Sequence, residues 1–365
     1  MQRRDFIKLA GASAALFSIA PSVLGKQANL SQWNSYRLTY QINLPTKGKR
    51  ALLWLPLPDT TDTPHQFTQG SVWSGNAKTA EFHTIPNTTS PVFHAEWRDS
   101  GPRIISVSSV VKTRNRFVDL QSYSEKGNGI IPADINRFLQ STKHAPLNGI
   151  VRMTASSITK TANAKTPLEK AHAIYNWVVD NAHRDQATRG CGRGDIKFML
   201  EKNNLGGKSV DLNTLFVGLA RAAGIPARNQ YGIRIDESET HKCLGKFGDL
   251  SNAQHCRAEF YLAGLGWVPV DPADVHQLLL EEGLTHNHPK VVALRKRLFG
   301  TWEMNWVTFN HGDDITLANN SVAGKLPFFM YPHAEISGKE QDSLVPAEFS
   351  YKIISAKLVG TGAKL

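Results

Sequence analysis

Residues 206–228 read GGKSVDLNTLFVGLARAAGIPAR, and residues 254–272 read QHCRAEFYLAGLGWVPVDP. In the first stretch, two glycines lead to Ser209, and apolar residues then recur at helical spacing. This pattern predicts a helix that begins at about Ser209 and is stopped by Gly224-Ile225-Pro226. In the second stretch, a glycine-rich turn between two apolar segments predicts an antiparallel hairpin.

The hairpin and the helix together predict a catalytic arrangement. A hairpin centred on residue 264 makes His255 and Asp271 diagonal cross-strand neighbours, about 5–8 Å apart at Cβ. At that distance a carboxylate can hold an imidazole in one tautomer. A helix N-terminus offers free backbone N–H groups and a partial positive charge, which stabilise a nucleophile and an oxyanion. Ser209, His255 and Asp271 are therefore the candidate nucleophile, base and orienting carboxylate.

Three sequence boxes, residues 206–228, 254–261 and 266–272, resemble the core of the transglutaminase-like superfamily in composition and in order. The resemblance covers about residues 165–275. It implies a papain-like α+β fold and a Cys-His-Asp triad that acts on amides, as in a transglutaminase, a deamidase or a protease. Matched box by box, His255 falls on the catalytic histidine of the family and Asp271 on its aspartate.

The resemblance departs from the family at the nucleophile, because Ser209 stands where the family has cysteine. A serine hydroxyl is far less acidic than a thiol and needs concerted proton removal by a base. Two alternatives follow. The first is an exported acyl transferase or amide hydrolase with a Ser-His-Asp triad, and the second is a catalytically inactive module that binds peptide or cell-wall strands. A third, a purely structural partner, is disfavoured because packing alone requires neither His255 nor Asp271.

The 365 residues, with 41% hydrophobic and 20% charged residues, exclude a disordered chain, a fibre and a multispan membrane protein. Alternating apolar residues, as in the strand that begins near Tyr36, predict a small antiparallel β domain before the core. The capping pattern from Thr166 to Glu169 marks the first core helix. The expected segments are the β domain at 30–120, a connector with short helices at 121–165, the core at 166–275 and a C-terminal extension packing on the core at 276–365.

The first 28 residues predict a twin-arginine signal peptide. The pair Arg3-Arg4 precedes a weakly apolar run from Leu9 to Ala20, which is too short to span a bilayer, and small residues then lead to Pro21. Export places the mature protein in the periplasm or outside the cell. Cleavage lowers the net charge from +11 to about +9, a surplus that suits the anionic cell envelope. No later apolar run approaches membrane-spanning length.

The three cysteines, Cys191, Cys243 and Cys256, exclude a disulfide-dense scaffold. In an exported protein their odd number leaves a free thiol or an intermolecular link, and a Cys191–Cys243 disulfide remains open. Cys256 follows His255 directly, so strand alternation turns the two side chains to opposite faces and predicts a core residue. The glycine loop, residues 189–195 (RGCGRGD), carries Cys191, whose thiol is expected to be structural or idle rather than a substitute nucleophile.

Histidine and cysteine spacing predicts no metal site, and no cofactor is expected. His241, Cys243, His255 and Cys256 match no paired-ligand pattern, and His255 is explained by the triad. The basic run at 294–298 has the spacing of a solvated helix face, and no basic stripe with interleaved aromatic residues favours nucleic acid. The resemblance implies a protein or peptide substrate as the partner, with cell-wall peptide among the options.

Overall fold

The computed structural model describes residues 32–85, 90–124, 130–318 and 321–358. The predicted signal peptide, residues 1–28, lies outside these residues. Helices and mostly antiparallel strands are mixed along the described chain, which confirms the predicted α+β class. Within the described ranges, no helix combines the length and the apolar character needed to cross a membrane.

Two antiparallel sheets form the N-terminal part. The first contains, in spatial order, β17 (Ser350–Leu358), β1 (Asn34–Leu44), β6 (Arg103–Thr113) and β3 (Gln66–Gly75). The second contains β16 (Lys339–Gln341), β15 (His333–Ile336), β2 (Ala51–Pro56), β5 (Pro91–Trp97) and β4 (Thr79–Thr84). Most of β1 and β6 alternates between buried and more exposed residues, because one sheet face packs into a hydrophobic core.

The second part of the structure, called the core below, combines six α-helices with a four-stranded antiparallel sheet among the described residues. The helices are α1 (Gly149–Thr161), α2 (Pro167–Asn181), α3 (Ile196–Glu201), α4 (Ser209–Ala222), α5 (Pro272–Glu281) and α6 (Pro289–Arg297). The strands, in spatial order, are β12 (Gly266–Val270), β11 (Gln254–Leu262), β10 (Ala227–Arg234) and β14 (Trp306–Asn310). Short pairs join β7 (Arg116–Phe117) to β13 (Thr301–Trp302), and β8 (His183–Arg184) to β9 (Gly206–Gly207). Two 3-10 helices cover Ala133–Leu139 and Lys242–Leu244.

Local sequence signals place the elements around the site. Helix α2 begins with the capping box of Thr166 and Glu169, as predicted. The β11–β12 hairpin pairs Leu262 with Gly266 and Ala258 with Val270, so it is centred on residue 264 as expected.

Helix α4 lies at the centre of the core. All its residues from Ser209 to Arg221 are buried, because helices α1, α2, α3 and α5 and strands β10 and β11 surround it. The sequence predicts one apolar side, whereas the structure encloses the helix on every side. Its polar residues are buried with partners; for example, Arg221 Nε donates to the Ala227 carbonyl at 2.7 Å.

The predicted C-terminal extension, residues 276–365, is divided between the two parts of the structure. Helix α6 packs on α5 and β14 joins the core sheet, whereas β15, β16 and β17 join the N-terminal sheets. Strand β17 pairs with β1 from Ser35↔Leu358 to Asn43↔Ser350. Sheet edges need partner strands, and the sequence pattern of a strand does not say which sheet it completes.

Candidate functional site

Ser209 is the first residue of α4 and is 2% exposed. Its Oγ accepts a hydrogen bond from the backbone N–H of Cys256 at 3.2 Å, which ties the helix to β11. Lys208 is the N-cap, so the first backbone N–H groups and the positive end of the helix dipole lie at Ser209. The serine therefore lies where a developing negative charge is stabilised.

The glycine loop is fastened to the start of α4 by Asp211. One carboxylate oxygen of Asp211 accepts from the N–H groups of Arg193 and Gly194, each at 2.8 Å, and the other accepts from the N–H of Lys208 at 3.0 Å. Gly192 has φ +100°, and a Cβ added there would overlap the Asp211 carboxylate. Only glycine fits at this position, so the loop is held tightly against Ser209 and its helix.

The glycine loop also brings Cys191 to Ser209. The N–H of Val210 donates to the Cys191 carbonyl at 2.9 Å, and the Cys191 thiol donates to the Gln254 carbonyl at 3.1 Å. The thiol neighbours the hydroxyl groups of Ser209 and Tyr331. Burial raises the pKa of the Cys191 thiol, which favours its protonated form. The expectation that this thiol is structural or idle stays a prediction.

His255 on β11 and Asp271 at the N-cap of α5 form a buried pair. Nε2 of His255 lies 2.7 Å from Oδ2 of Asp271. An ionised carboxylate only accepts hydrogen bonds, so the ring proton is assigned to Nε2 and the lone pair to Nδ1. Asn213 on α4 fixes the carboxylate by donating to Asp271 Oδ1 at 3.2 Å and to the Cys256 carbonyl at 2.8 Å. This tautomer suits a general base whose reactive atom is Nδ1.

A second ion pair, Arg234–Asp274, borders the imidazole. Nη2 of Arg234 lies 2.5 Å from Oδ1 of Asp274 and 3.3 Å from Nδ1 of His255. The same Asp274 oxygen lies 3.4 Å from Nε2 of His255. Burial and then the Arg234 charge lower the pKa of His255 below its ordinary 6.5, against the opposing charges of Asp274 and Asp271. His255 is therefore a neutral imidazole at neutral pH.

Ser209 and His255 line one cleft of about 500 Å³. Among the described residues, however, no hydrogen bond joins the two side chains, because Ser209 Oγ contacts the Cys256 N–H and His255 Nδ1 faces Arg234. The structure thus brings Ser209 and His255 to one cleft, with Asp271 fully buried against His255. The His–Asp contact is formed and the Ser–His contact is open. Catalytic hydrogen bonds often tighten only when substrate binds.

The carboxylates near His255 are explained by ion pairs. His255, Asp271 and Asp274 offer possible ligand atoms within 4.8 Å of one another. Arg234 pairs with Asp274, and Nε of Arg257 lies 3.6 Å from Oδ2 of Asp271. These guanidinium groups compensate the two carboxylates, so we assign the group to a charge network rather than to a cation site.

Sequence reasoning missed the residues that support the predicted three. Asn213 lies four residues after Ser209, so it shares the helix face of Ser209, and this spacing was a usable signal. Asp274 lies three residues after Asp271, in the first turn of a helix with proline at its start. Arg234 had no comparable signal, because its approach to His255 depends on the pairing of β10 with β11.

Comparison with known proteins bears on the family and the fold of the core. The model of the transglutaminase-like superfamily matches residues 152–272, which include all three predicted site residues. An uncharacterized protein of Haemophilus influenzae is 35% identical over 369 residues, covering 95% of this chain and 99% of its own. The crystal structure of a candidate cysteine protease from Cytophaga hutchinsonii aligns with 90% of this chain and 92% of its own, at 13% identity and a TM-score of 0.53. The similarity to the Cytophaga hutchinsonii structure shows a shared fold.

The family match spans the helix that begins at Ser209 and the hairpin that carries His255. The same boxes carried the resemblance in the sequence, and the core built from them is the α+β core that the resemblance implies. The chain belongs to the transglutaminase-like superfamily.

Proposed function

We propose that the protein is an acyl-transfer enzyme acting on amides, either peptide bonds or glutamine side chains. Ser209 is the nucleophile, His255 the general base and Asp271 the residue that orients the imidazole. Membership of the superfamily indicates acyl-transfer or peptidase chemistry. One observation supports the assignment to these residues: the buried 2.7 Å contact between His255 Nε2 and Asp271 Oδ2, at the cleft that Ser209 lines.

In the proposed reaction, Ser209 Oγ attacks the carboxamide carbon while His255 Nδ1 takes its proton. The imidazolium that forms is stabilised by Asp271 and then gives the proton to the departing amine or ammonia. The oxyanion is bound by the backbone N–H of Ser209 at the start of α4, because the N–H groups of Lys208 and Val210 already donate to Asp211 and Cys191. Water or an amine, deprotonated by His255, then attacks the acyl-serine ester and restores the enzyme. The products are an acid or a new amide.

The charges around His255 keep its imidazole unprotonated in the free protein, which is the form that a serine nucleophile requires. A cysteine nucleophile is most effective as a thiolate beside an imidazolium, and the neighbouring Arg234 cation disfavours an imidazolium in the free protein. A serine instead requires an unprotonated imidazole that can remove its proton during attack. The lowered pKa of His255 supplies that form at neutral pH.

A specific observation favours a second candidate function, binding without turnover. Nη2 of Arg234 lies 3.3 Å from His255 Nδ1, the atom that must accept the serine proton. For catalysis the guanidinium of Arg234 has to move away from His255 Nδ1, so that the Ser209 hydroxyl can donate to this nitrogen. If it does not, the cleft retains peptide-binding capacity but performs no chemistry.

Turnover of a glutamine-containing peptide separates the two candidates. We expect ammonia or a cleaved peptide from the full chain, and a loss of about a thousandfold or more in kcat for Ser209→Ala and for His255→Ala. If Ser209→Ala turns over substrate as fast as the parent, the serine mechanism is wrong. If every variant binds peptide and none reacts, the binding module is correct.

A matched control uses the cysteine that lies next to the serine. In a Cys191→Ala background, Ser209→Cys creates a thiol at the nucleophile position without competition from the neighbouring thiol. We expect labelling by an electrophile at residue 209, and slower labelling after a further His255→Ala change. Equal labelling with and without His255 would contradict the proposed contact between base and nucleophile.

We also propose that the protein acts outside the cytoplasm after twin-arginine export. The pair Arg3-Arg4, the weak apolar run from Leu9 to Ala20 and the basic surplus of the chain support this location. Fractionation of cells that express the full chain tests it. Replacing both arginines with lysine should leave the precursor in the cytoplasm, whereas unchanged export would exclude this route.

A further inference from the structure

We propose that the cleft selects peptide substrates that carry a carboxylate beside the reacting amide. The inference deepens the proposed function and rests on it, because it concerns the same cleft. No residue that lines the cleft is a carboxylate. Five lining residues are cations: Arg184, Arg189, Lys208, Arg234 and Lys246.

Two of the five cations are already neutralised. Arg189 forms an ion pair with Asp342, and Arg234 forms one with Asp274. Arg184, Lys208 and Lys246 have no ion pair and no side-chain hydrogen bond within the described ranges of the chain. Their charges therefore remain available to a ligand.

Arg184 is the most informative of the three. It is half-buried on strand β8, and burial lowers the pKa of its guanidinium. Strand β8 runs parallel to β9 and pairs Arg184 with Gly207, two residues before Ser209. A guanidinium that is partly withdrawn from water without a partner is unfavourable, and a carboxylate binds its donors in bidentate geometry. An acidic group of the substrate would supply that partner next to the nucleophile.

Lys208 and Lys246 extend the positive potential along the cleft. Lys208 is half-buried at the N-cap of α4, so its ammonium adds to the positive end of the helix dipole. Lys246 is exposed and belongs to the loop after β10, where its N–H donates to the Asp236 carbonyl at 2.9 Å. The three charges thus come from three separate segments that meet at one cleft, as expected for a site that attracts an anion.

The anion is assigned as a peptide carboxylate. The cleft, at about 500 Å³, has the size of a small-ligand site and holds only a few residues of a peptide. No Phe or Trp is among the lining residues, and the only rings there are those of Tyr331 and His255, so successive nucleotide bases would lack a row of stacking surfaces. Amide substrates bring their negative charge as carboxylates, either from Asp or Glu side chains or from a free C-terminus.

Binding to a form that does not turn over tests the inference apart from catalysis. Full-length Ser209→Ala protein is titrated with labelled pentapeptides that have glutamine at the centre and an amidated C-terminus. We expect the peptide with flanking glutamates to bind about tenfold tighter than the one with flanking alanines, the effect of one charge-assisted pair. A neutral peptide with a free C-terminus shows whether the terminal carboxylate gives the same gain.

Charge variants identify the residues responsible. In the Ser209→Ala background, Arg184→Gln and Lys208→Gln should each remove part of the tenfold gain, lowering affinity for the acidic peptide by about threefold, and leave affinity for the neutral peptide unchanged. Arg37→Gln, an exposed change on β1 away from the cleft, should have no effect. If Arg184→Gln does not fold, Lys208→Gln and Lys246→Gln carry the test.

The outcomes separate this inference from the proposed function. Equal affinity for acidic, free-terminus and neutral peptides, or acidic binding that all the charge variants retain, would overturn the carboxylate site even if turnover is observed. Tight acidic binding that depends on Arg184 or Lys208, with no turnover by the parent, would support the carboxylate site and reject the serine enzyme.

Discussion

Arg234 Nη2 lies 3.3 Å from His255 Nδ1, on the side of the ring opposite the nitrogen that contacts Asp271. A permanent cation therefore faces the atom that is proposed to receive the serine proton. Burial, and then the charge of Arg234, lowers the pKa of His255 and keeps the imidazole neutral. The same guanidinium is held by Asp274, so base and ion pair form one network.

The first prediction concerns the pH dependence of turnover. The neutral form of His255 is active and its pKa is lowered from 6.5, so kcat/KM of the parent should fall only below pH 6.5. Arg234→Gln removes the cation and raises the pKa of His255. The acidic limb of the pH profile, which is the fall of kcat/KM at low pH, should therefore move to higher pH. Arg234→Lys retains a cation and should keep the limb nearer its original position. Identical limbs for all three proteins would show that Arg234 does not set this pKa.

The second prediction concerns Asn213 as a positioning residue. Asn213→Ala removes the donor to Asp271 Oδ1 and to the Cys256 carbonyl. We expect the free energy of unfolding to fall by about 1–3 kcal/mol, because two buried acceptors lose a partner. We also expect kcat to fall more than KM changes, since the imidazole is less well oriented. Denaturant unfolding and steady-state kinetics measure the two effects, and a loss of stability with unchanged kcat would assign Asn213 to structure alone.

The third prediction concerns the glycine loop. Asp211→Ala removes three hydrogen bonds to backbone N–H groups, so we expect a loss of about 3 kcal/mol or more in unfolding free energy. Asp195→Ala is the matched control, because Asp195 caps α3 through one bond to Phe198 and should cost about 1 kcal/mol. Equal losses in urea unfolding would mean that the loop is not held by Asp211.

The fourth prediction concerns Glu259, which is buried between two arginines. Burial raises its pKa, but Arg116 and Arg228 outweigh burial and hold the pKa well below its ordinary 4.5. The resulting stability is present above the unfolded-state pKa and is lost as the pH falls through the folded-state pKa. Glu259→Gln should therefore cost about 3–5 kcal/mol at neutral pH, because both arginines lose their counter-charge.

A surface pair provides the control for Glu259. Glu201 lies 3.7 Å from Lys197 on an exposed face of α3, so Glu201→Gln should change the unfolding free energy by less than about 1 kcal/mol. Chemical unfolding at several pH values compares the two variants. A Glu259→Gln protein as stable as the Glu201→Gln protein at neutral pH would contradict the role of the buried network.

Much of the core was predictable because its signals are local. The capping box of Thr166 and Glu169 fixes the start of α2, and the turn centred on residue 264 fixes the register of the hairpin. That register alone places His255 near Asp271, without information on any contact outside the hairpin. Helix α5 is not predicted although Asp271 and Pro272 form a helix start, because the pattern at Asp271 indicates only the end of the second hairpin strand.

The remaining features depend on contacts between distant segments. Strands β3 and β4 lie in a stretch rich in Gly, Asn and Thr and are largely exposed, so they lack the apolar alternation that marks a strand. The pairing of β17 with β1 and the approach of Arg234 to His255 join residues far apart or on adjacent strands. No local sequence pattern specifies such contacts. The cations that line the cleft come from separate segments, so their proximity also depends on contacts of this kind.

The most direct test of the central claim is mass spectrometry of the full-length protein, quenched in acid during turnover of a glutamine-containing peptide. The account predicts an acyl adduct on the fragment that contains Ser209, which disappears in Ser209→Ala and in His255→Ala. An adduct on Cys191 instead, or turnover that survives Ser209→Ala, would contradict it.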